Sequence, residues 1–303
     1  MNSNVYVRSK TSIRSISLTR IIFLLPLIIY GFYKNGIYLY IHNYVSVINM
    51  FRPLYLIIIG AAIGGLVNII YEKIIKKNKD SLVDILFSSF HIEYGIILGS
   101  LVSINTNIII FTFATLIIFF ISKLFKNHIN IISLTFIVIY IFSIFESNYI
   151  FSNVYELSKS FHLNLFDYLI GRGPGGVAST HIILLGIALT GLYISNNNKF
   201  EITLDSCLTY GILSVIYSVA TNSSILEGLF LYNYIYIFSF VATDMVTSCY
   251  TNRGKNCFGI LVGVLTFAFR LLNPILAPFI AVSITSLFNN FIDRKVNKME
   301  RHD

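Results

Sequence analysis

Long unbroken runs of Ile, Leu, Phe and Tyr recur along the whole of this 303-residue sequence. Several reach the roughly 17–25 residues that a helix needs to cross bilayer hydrocarbon. Inside lipid every backbone N–H and C=O must be satisfied by the chain itself, which leaves helices or closed barrels. Barrel strands alternate apolar and polar residues, whereas these runs are continuous, so they read as helices. Composition agrees: 55% of residues are hydrophobic and 12% are charged. Mean hydropathy is +0.75. A soluble surface needs roughly twice that charge. The expected fold is an all-α integral membrane protein, one polytopic domain over residues 1–303 with no separately folding soluble part.

About ten spans are expected, at 20–41, 53–71, 82–104, 108–122, 129–145, 181–194, 202–219, 229–241, 257–272 and 275–292. The net charge of +8 is distributed in a way that tests this count. Arg8, Lys10 and Arg14 precede the first span and Arg20 opens it, and Lys73, Lys76, Lys77 and Lys79 follow the second. Lys123 and Lys126 follow the fourth, Lys199 the sixth, Arg253 and Lys255 the eighth, and Arg294, Lys295, Lys298 and Arg301 the tenth. With ten spans all these segments fall on one side, while Lys34, Arg52, Lys159 and Arg172 are thinly spread on the other. Basic loops stay in the cytoplasm, so both termini are expected there, in a plasma-membrane protein. Residues 1–19 then form a cytoplasmic arm, and 146–180 an extracytoplasmic segment. The same distribution argues against a nucleic-acid partner, because the charge is orientation signal rather than a phosphate-binding face. Cys207, Cys249 and Cys257 have neither metal spacing nor an evident disulfide pattern. The polar arm before Ile21 lacks a small-residue cleavage site, so no cleavable signal peptide is expected.

Three places carry residues capable of chemistry. The stretch Gly171-Arg-Gly173-Pro-Gly175-Gly176-Val-Ala-Ser179-Thr180-His181 ends where a helix starts. It reads either as a glycine-rich turn with Ser179 or Thr180 as N-cap, or as a helix N-terminus favouring a phosphate. Around Asp244, the hydroxyls of Thr247, Ser248 and Thr251 suit a capped cytoplasmic turn, the cap of the following helix or a cation site. Asp84, His91, Glu93 and Arg270 lie in or beside spans, where ionisable groups are expensive and default to function. His91 and Glu93 are two apart and so have different partners, while Arg270 can snorkel to the interface. No residue is expected to be catalytic by itself, and none to bind metal.

The stretch Phe240-Val-Ala-Thr-Asp244-Met-Val-Thr247-Ser248, then Thr251, Gly254-Lys255, Phe258-Gly259, Gly263, Leu265-Thr266 and Arg270-Leu271, resembles a known family. It is the NqrB/RnfD family, membrane components of the sodium-translocating NADH:quinone reductase and of the Rnf electron-transport complex. Asn289 and Asp293-Arg294 are similar to its end, Phe23-Leu-Leu-Pro26 to its first span, and Asp84 to the acid opening its third. The chain departs from the pattern at Val177-Ala178, at Cys249 where proline is usual, and at Lys126–Asn130 where Asn-Pro-Ala is expected. The resemblance implies FMN held covalently by a phosphoester to Thr180, with Ser179, Gly173, Gly175 and Gly176 around it, and leaves open a second, non-covalent flavin. It implies Asp84, Asp244, Thr247 and Ser248 as an ion route or structural set. The implied partners are other Rnf-type subunits, a flavin transferase and the lipid bilayer. The length favours the Rnf type, giving a translocase subunit that relays electrons coupled to Na+ or H+ transport. The alternatives are a secondary transporter with a solute site near Gly60–Gly65, or a flavin-less scaffold of the same family.

Overall fold

The computed structural model describes residues 12–125, 129–145, 163–230, 232 and 234–299. Expectations for Arg8, Lys10, Lys126, Lys159, Arg301 and the 146–162 part of the extracytoplasmic segment lie outside the described residues.

Regular structure among the described residues is entirely helical. Helix α1 runs Ile13–Ile41 and α2 Arg52–Ile75. They are followed by α3 Leu82–Leu86, α4 His91–Leu101, α5 Ile108–Leu124, α6 Ile131–Phe145, α7 Leu165–Ile170 and α8 Ile182–Ile194. The chain continues with α9 Phe200–Ala220, α10 Ile225–Phe230, α11 (residues 234–241), α12 Asn252–Arg270, α13 Ala277–Leu287 and α14 Asn289–Met299. Three helices, α1, α2 and α9, are long and apolar enough to cross a membrane, and α5, α6, α8 and α13 are shorter apolar helices. Large apolar residues stay uncovered on outward faces, such as Ile29 at 68% exposure and Ile216 at 61%, as lipid contact requires.

Three of the expected spans are corrected; the 275–292 run ends as α13 at Leu287, and its last residues belong to α14. The 82–104 run is not one helix: it breaks between α3 and α4 and again after Leu101. At the first break Asn68 Nδ2 donates to Leu86 O at 2.8 Å, and Ser89 Oγ donates to Asn68 Oδ1 at 2.7 Å. A side chain on α2 thus satisfies the loose end that would otherwise drive the helix onward. The 229–241 run is interrupted at Tyr232, whose φ of +59° is left-handed, between the end of α10 and the short α11. The arm is also shorter than read, because Ser12 Oγ accepts from Ser15 N and starts α1 at Ile13, seven residues before position 20.

Among the described residues, α1, α2, α4, α5 and α6 form one set of five, and α8, α9, α11, α12 and α13 a second. First packs on first, α1 against α8. Fifth packs on fifth, α6 against α13, where Phe136 stacks on Phe279 with ring centroids 3.7 Å apart. Third meets third. Tyr94, near the start of α4, donates to Asp244 just beyond the end of α11 at 2.6 Å. Ser100, near the end of α4, shares a 2.6 Å hydrogen bond with Tyr236 near the start of α11. The two short central helices are therefore antiparallel, as expected when an odd number of helices precedes an equivalent set. The halves are an inverted repeat, and the third helix of each is the broken one.

Candidate functional site

A polar cluster lies at each end of the α4–α11 pair. At one end the turn 171–181 is pressed between α1 and the unwound end of α4. Gly171, in the left-handed region at φ +85°, ends α7 and redirects the chain. Val177 N donates to Val102 O at 3.0 Å and Ala178 N to Ser100 O at 2.9 Å, so the turn satisfies carbonyls that the end of α4 leaves open. Nothing larger than glycine fits at Gly176, where a Cβ would strike the Leu101 carbonyl.

Helix α1 supplies the other wall. Its π-wound stretch Tyr33–Ile37 turns Lys34, Asn35 and Gly36 all inward. Asn35 Nδ2 donates to Val177 O at 2.7 Å. Lys34 Nζ donates to Gly171 O and Gly173 O, both at 2.7 Å, and to Thr180 Oγ1 at 3.2 Å. Lys34 is 2% exposed, and no carboxylate among the described residues lies within ion-pair distance of it. Ser179 Oγ is buried without any hydrogen-bond partner, and Thr180 is 7% exposed. Gly175 is half-buried. The expected cap is corrected: neither Ser179 nor Thr180 caps α8, because His181 Nδ1 accepts from Leu184 N at 3.2 Å.

The donor set fits the phosphate end of an esterified nucleotide: a threonyl oxygen, an ammonium with no counter-ion and a hydroxyl with no partner. The packing is tight. Space of about 10 Å³ beside Ser179 and Thr180 holds one water at most and does not accept a flavin ring.

At the other end Asp244 is 2% exposed. Its Oδ1 accepts from Tyr94, and its Oδ2 accepts from Thr247 N at 3.0 Å and Thr247 Oγ1 at 2.6 Å. Ser248 Oγ donates to Asp244 O at 2.5 Å, Asn130 Nδ2 to Thr247 Oγ1 at 3.1 Å, and Asn289 Nδ2 to Thr247 O at 2.9 Å. Lys199 Nζ donates to Ser248 Oγ at 2.7 Å, and burial pushes its pKa down to about 8. Asp293 accepts from Tyr250 N and from Thr251 N and Oγ1, and Thr251 caps α12. Much of the Thr-Ser-Thr pattern is thus used in holding one loop.

The structure brings Asp244, Thr247 and Ser248 together but not Asp84. Asp84 is exposed, held by Ser81 Oγ at 2.6 Å and only loosely paired with Arg14 at 3.8 Å. The buried acid beside Asp244 is Glu93, 0% exposed, paired at 2.9 Å with Arg20, itself 1% exposed. Arg20 also donates to Phe240 O at 2.9 Å. His91 has separate partners, Ser89 and Ser122, as their spacing suggested. Arg270 does not snorkel; it donates to Tyr210, Ser214 and the Gly228 carbonyl. Lys34 and Arg20 were counted in the sequence as topology markers, though both lie inside the first expected run, which was itself the signal of function. At Gly60–Gly65 there is no solute cleft in the glycine face, because Gly60 and Gly64 meet the backbone of Gly95 and His91.

These features define a polytopic helical membrane protein of two inverted halves, meeting at broken central helices with a polar cluster at each end. The model of the NQR2, RnfD, RnfE family matches residues 1–301, and the chain belongs to that family. Over 137 residues it is 27% identical to the NqrB component of the Na(+)-translocating NADH-quinone reductase of Chromohalobacter salexigens. That alignment takes in 42% of this chain and 33% of the relative, so the chain spans about a third of the relative's length.

Proposed function

We propose that this chain is a membrane subunit of an Rnf-type ion-translocating oxidoreductase complex, carrying FMN on Thr180. In this reading it crosses the plasma membrane ten times with both termini cytoplasmic, and the turn 171–181 faces outward. The basic residues support that orientation, since their segments alternate with those of few charges. The observation that carries the flavin reading is the hydrogen bond from a buried, anion-free ammonium to the Thr180 hydroxyl.

A flavin transferase would install the group from a flavin dinucleotide. The Thr180 Oγ1–phosphorus bond would form as the donor's pyrophosphate bond broke to release a nucleoside monophosphate, with the hydroxyl proton leaving and no electron moving. When bound, the flavin supplies electron relay between carriers held by other subunits. The chain's own part is to hold the phosphate and to keep α4 and α11 in register. Glu93 and Asp244, buried carboxylates between the broken helices, are the groups on which a Na+ or H+ path would depend, with Thr247 and Ser248 fixing Asp244. Asp84 stands apart from that pair, exposed and loosely paired with Arg14.

The test is fluorescence in a denaturing gel after co-expression with partner subunits and a flavin transferase. Wild type is expected to fluoresce and Thr180→Ala to lose at least nine-tenths of the signal. Unchanged fluorescence in Thr180→Ala would remove the site assignment. The closed packing around Thr180 favours a second reading, a flavin-less scaffold of the same family. A dark wild-type band under these conditions selects it.

A further inference from the structure

We infer that Lys34 is the counter-ion of the phosphate carried at Thr180, and that loading the phosphate releases the turn Lys34 otherwise holds shut. The inference rests on the flavin reading above, and deepens it. A buried ammonium normally finds an anion, because three neutral acceptors replace its hydration poorly. Lys34 is 2% exposed, and its partners are two glycine carbonyls and one hydroxyl. The threonyl oxygen among them is the atom proposed for esterification, so a phosphodiester there puts its single negative charge beside the one unpaired positive charge of this turn. Ser179 Oγ, buried and unbonded in the same turn, supplies a free donor.

Donor arithmetic then sets a consequence. An ammonium has three N–H groups, and all three are engaged, by Gly171 O, Gly173 O and Thr180 Oγ1. A phosphate oxygen can gain a bond from Lys34 only by displacing one of these acceptors. The 10 Å³ beside Thr180, walled by α8, the end of α10 and α11, is too small for the new group, so the turn must shift to admit it, and the lost Lys34 bond frees it to do so. Filled and empty states therefore share one lysine with different partners.

A purely structural latch and a counter-ion predict opposite results, which makes the substitution decisive. Without its latch the turn opens, and Lys34→Met should then take up flavin as well as wild type or better. Without its counter-ion, Lys34→Met should carry at least tenfold less covalent flavin per protein in the denaturing gel, while Lys34→Arg keeps half or more. Full labelling of Lys34→Met overturns the inference and leaves the flavin reading intact. A second measurement works without flavin. In full-length Thr180→Ala, inorganic phosphate should raise the thermal unfolding midpoint over chloride at equal ionic strength, and adding Lys34→Met should abolish the rise. If wild type is dark but this phosphate effect depends on Lys34, the flavin reading falls and the anion site stands. Absence of the effect together with a dark band overturns both.

Discussion

Arg20 and Glu93 sit 2.9 Å apart in the protein interior, and the energetics of such a pair are lopsided. Removing one partner strands the other, at a cost of about 3–5 kcal/mol, whereas replacing both with apolar residues is often close to neutral. Arg20→Met should therefore lower the thermal midpoint in detergent far more than Arg20→Met combined with Glu93→Leu; equal losses would show the pair to be independent. Lys199 gives a pH prediction. Its pKa falls to about 8 in the folded chain, against about 10.4 for a free lysine. Between these values the unfolded chain binds more protons, so stability should rise with pH, and Lys199→Met should flatten that rise in melts at stepped pH. At this scale the sequence was legible at Asp244, which the structure buries with the neighbouring Thr247 and Ser248 as its partners. Lys34 and Arg20 were not, because a cation near a helix end has the same letter whether it snorkels or turns inward. Arg270 shows the same ambiguity: its partners come from α9 and the α10 end, over forty residues away in sequence.

Helices α2 and α4 approach so closely that Gly60 and Gly95 each occupy the place where the other's Cβ would stand. Small residues of this kind let helix backbones meet in lipid, where no hydrophobic force drives association. Gly95→Leu should separate the helices and cost several kcal/mol by the measure of overpacked cores, seen as loss of folded protein by size-exclusion chromatography. Gly186 on α8 is the control: a Cβ there meets nothing within 4 Å, so Gly186→Ala should be neutral or up to about 1 kcal/mol stabilising. Continuous apolar runs located most helices within a few residues. It merged α3 with α4 because the break is decided by Asn68 on α2, and hydropathy does not register a tertiary hydrogen bond.

The inverted relation of the two halves was invisible in the sequence, since the contacts that reveal it pair unlike residues, Tyr94 with Asp244 and Ser100 with Tyr236. The orientation expected from charge is open to direct test. In a chain with exposed Cys257 replaced, a cysteine at Asn78 should react with an impermeant maleimide only from the cytoplasmic side, and one at Ser223 only from outside; the reverse pattern would sink the topology. The broken central helices carry a further, electrical consequence. Helix α4 has 11 residues, a length of about 16 Å, against roughly 30 Å of hydrocarbon. Where water reaches both of its ends, the whole membrane voltage drops across about half the usual distance, and an ion on the proposed path would feel a field roughly twice as steep as in the surrounding bilayer.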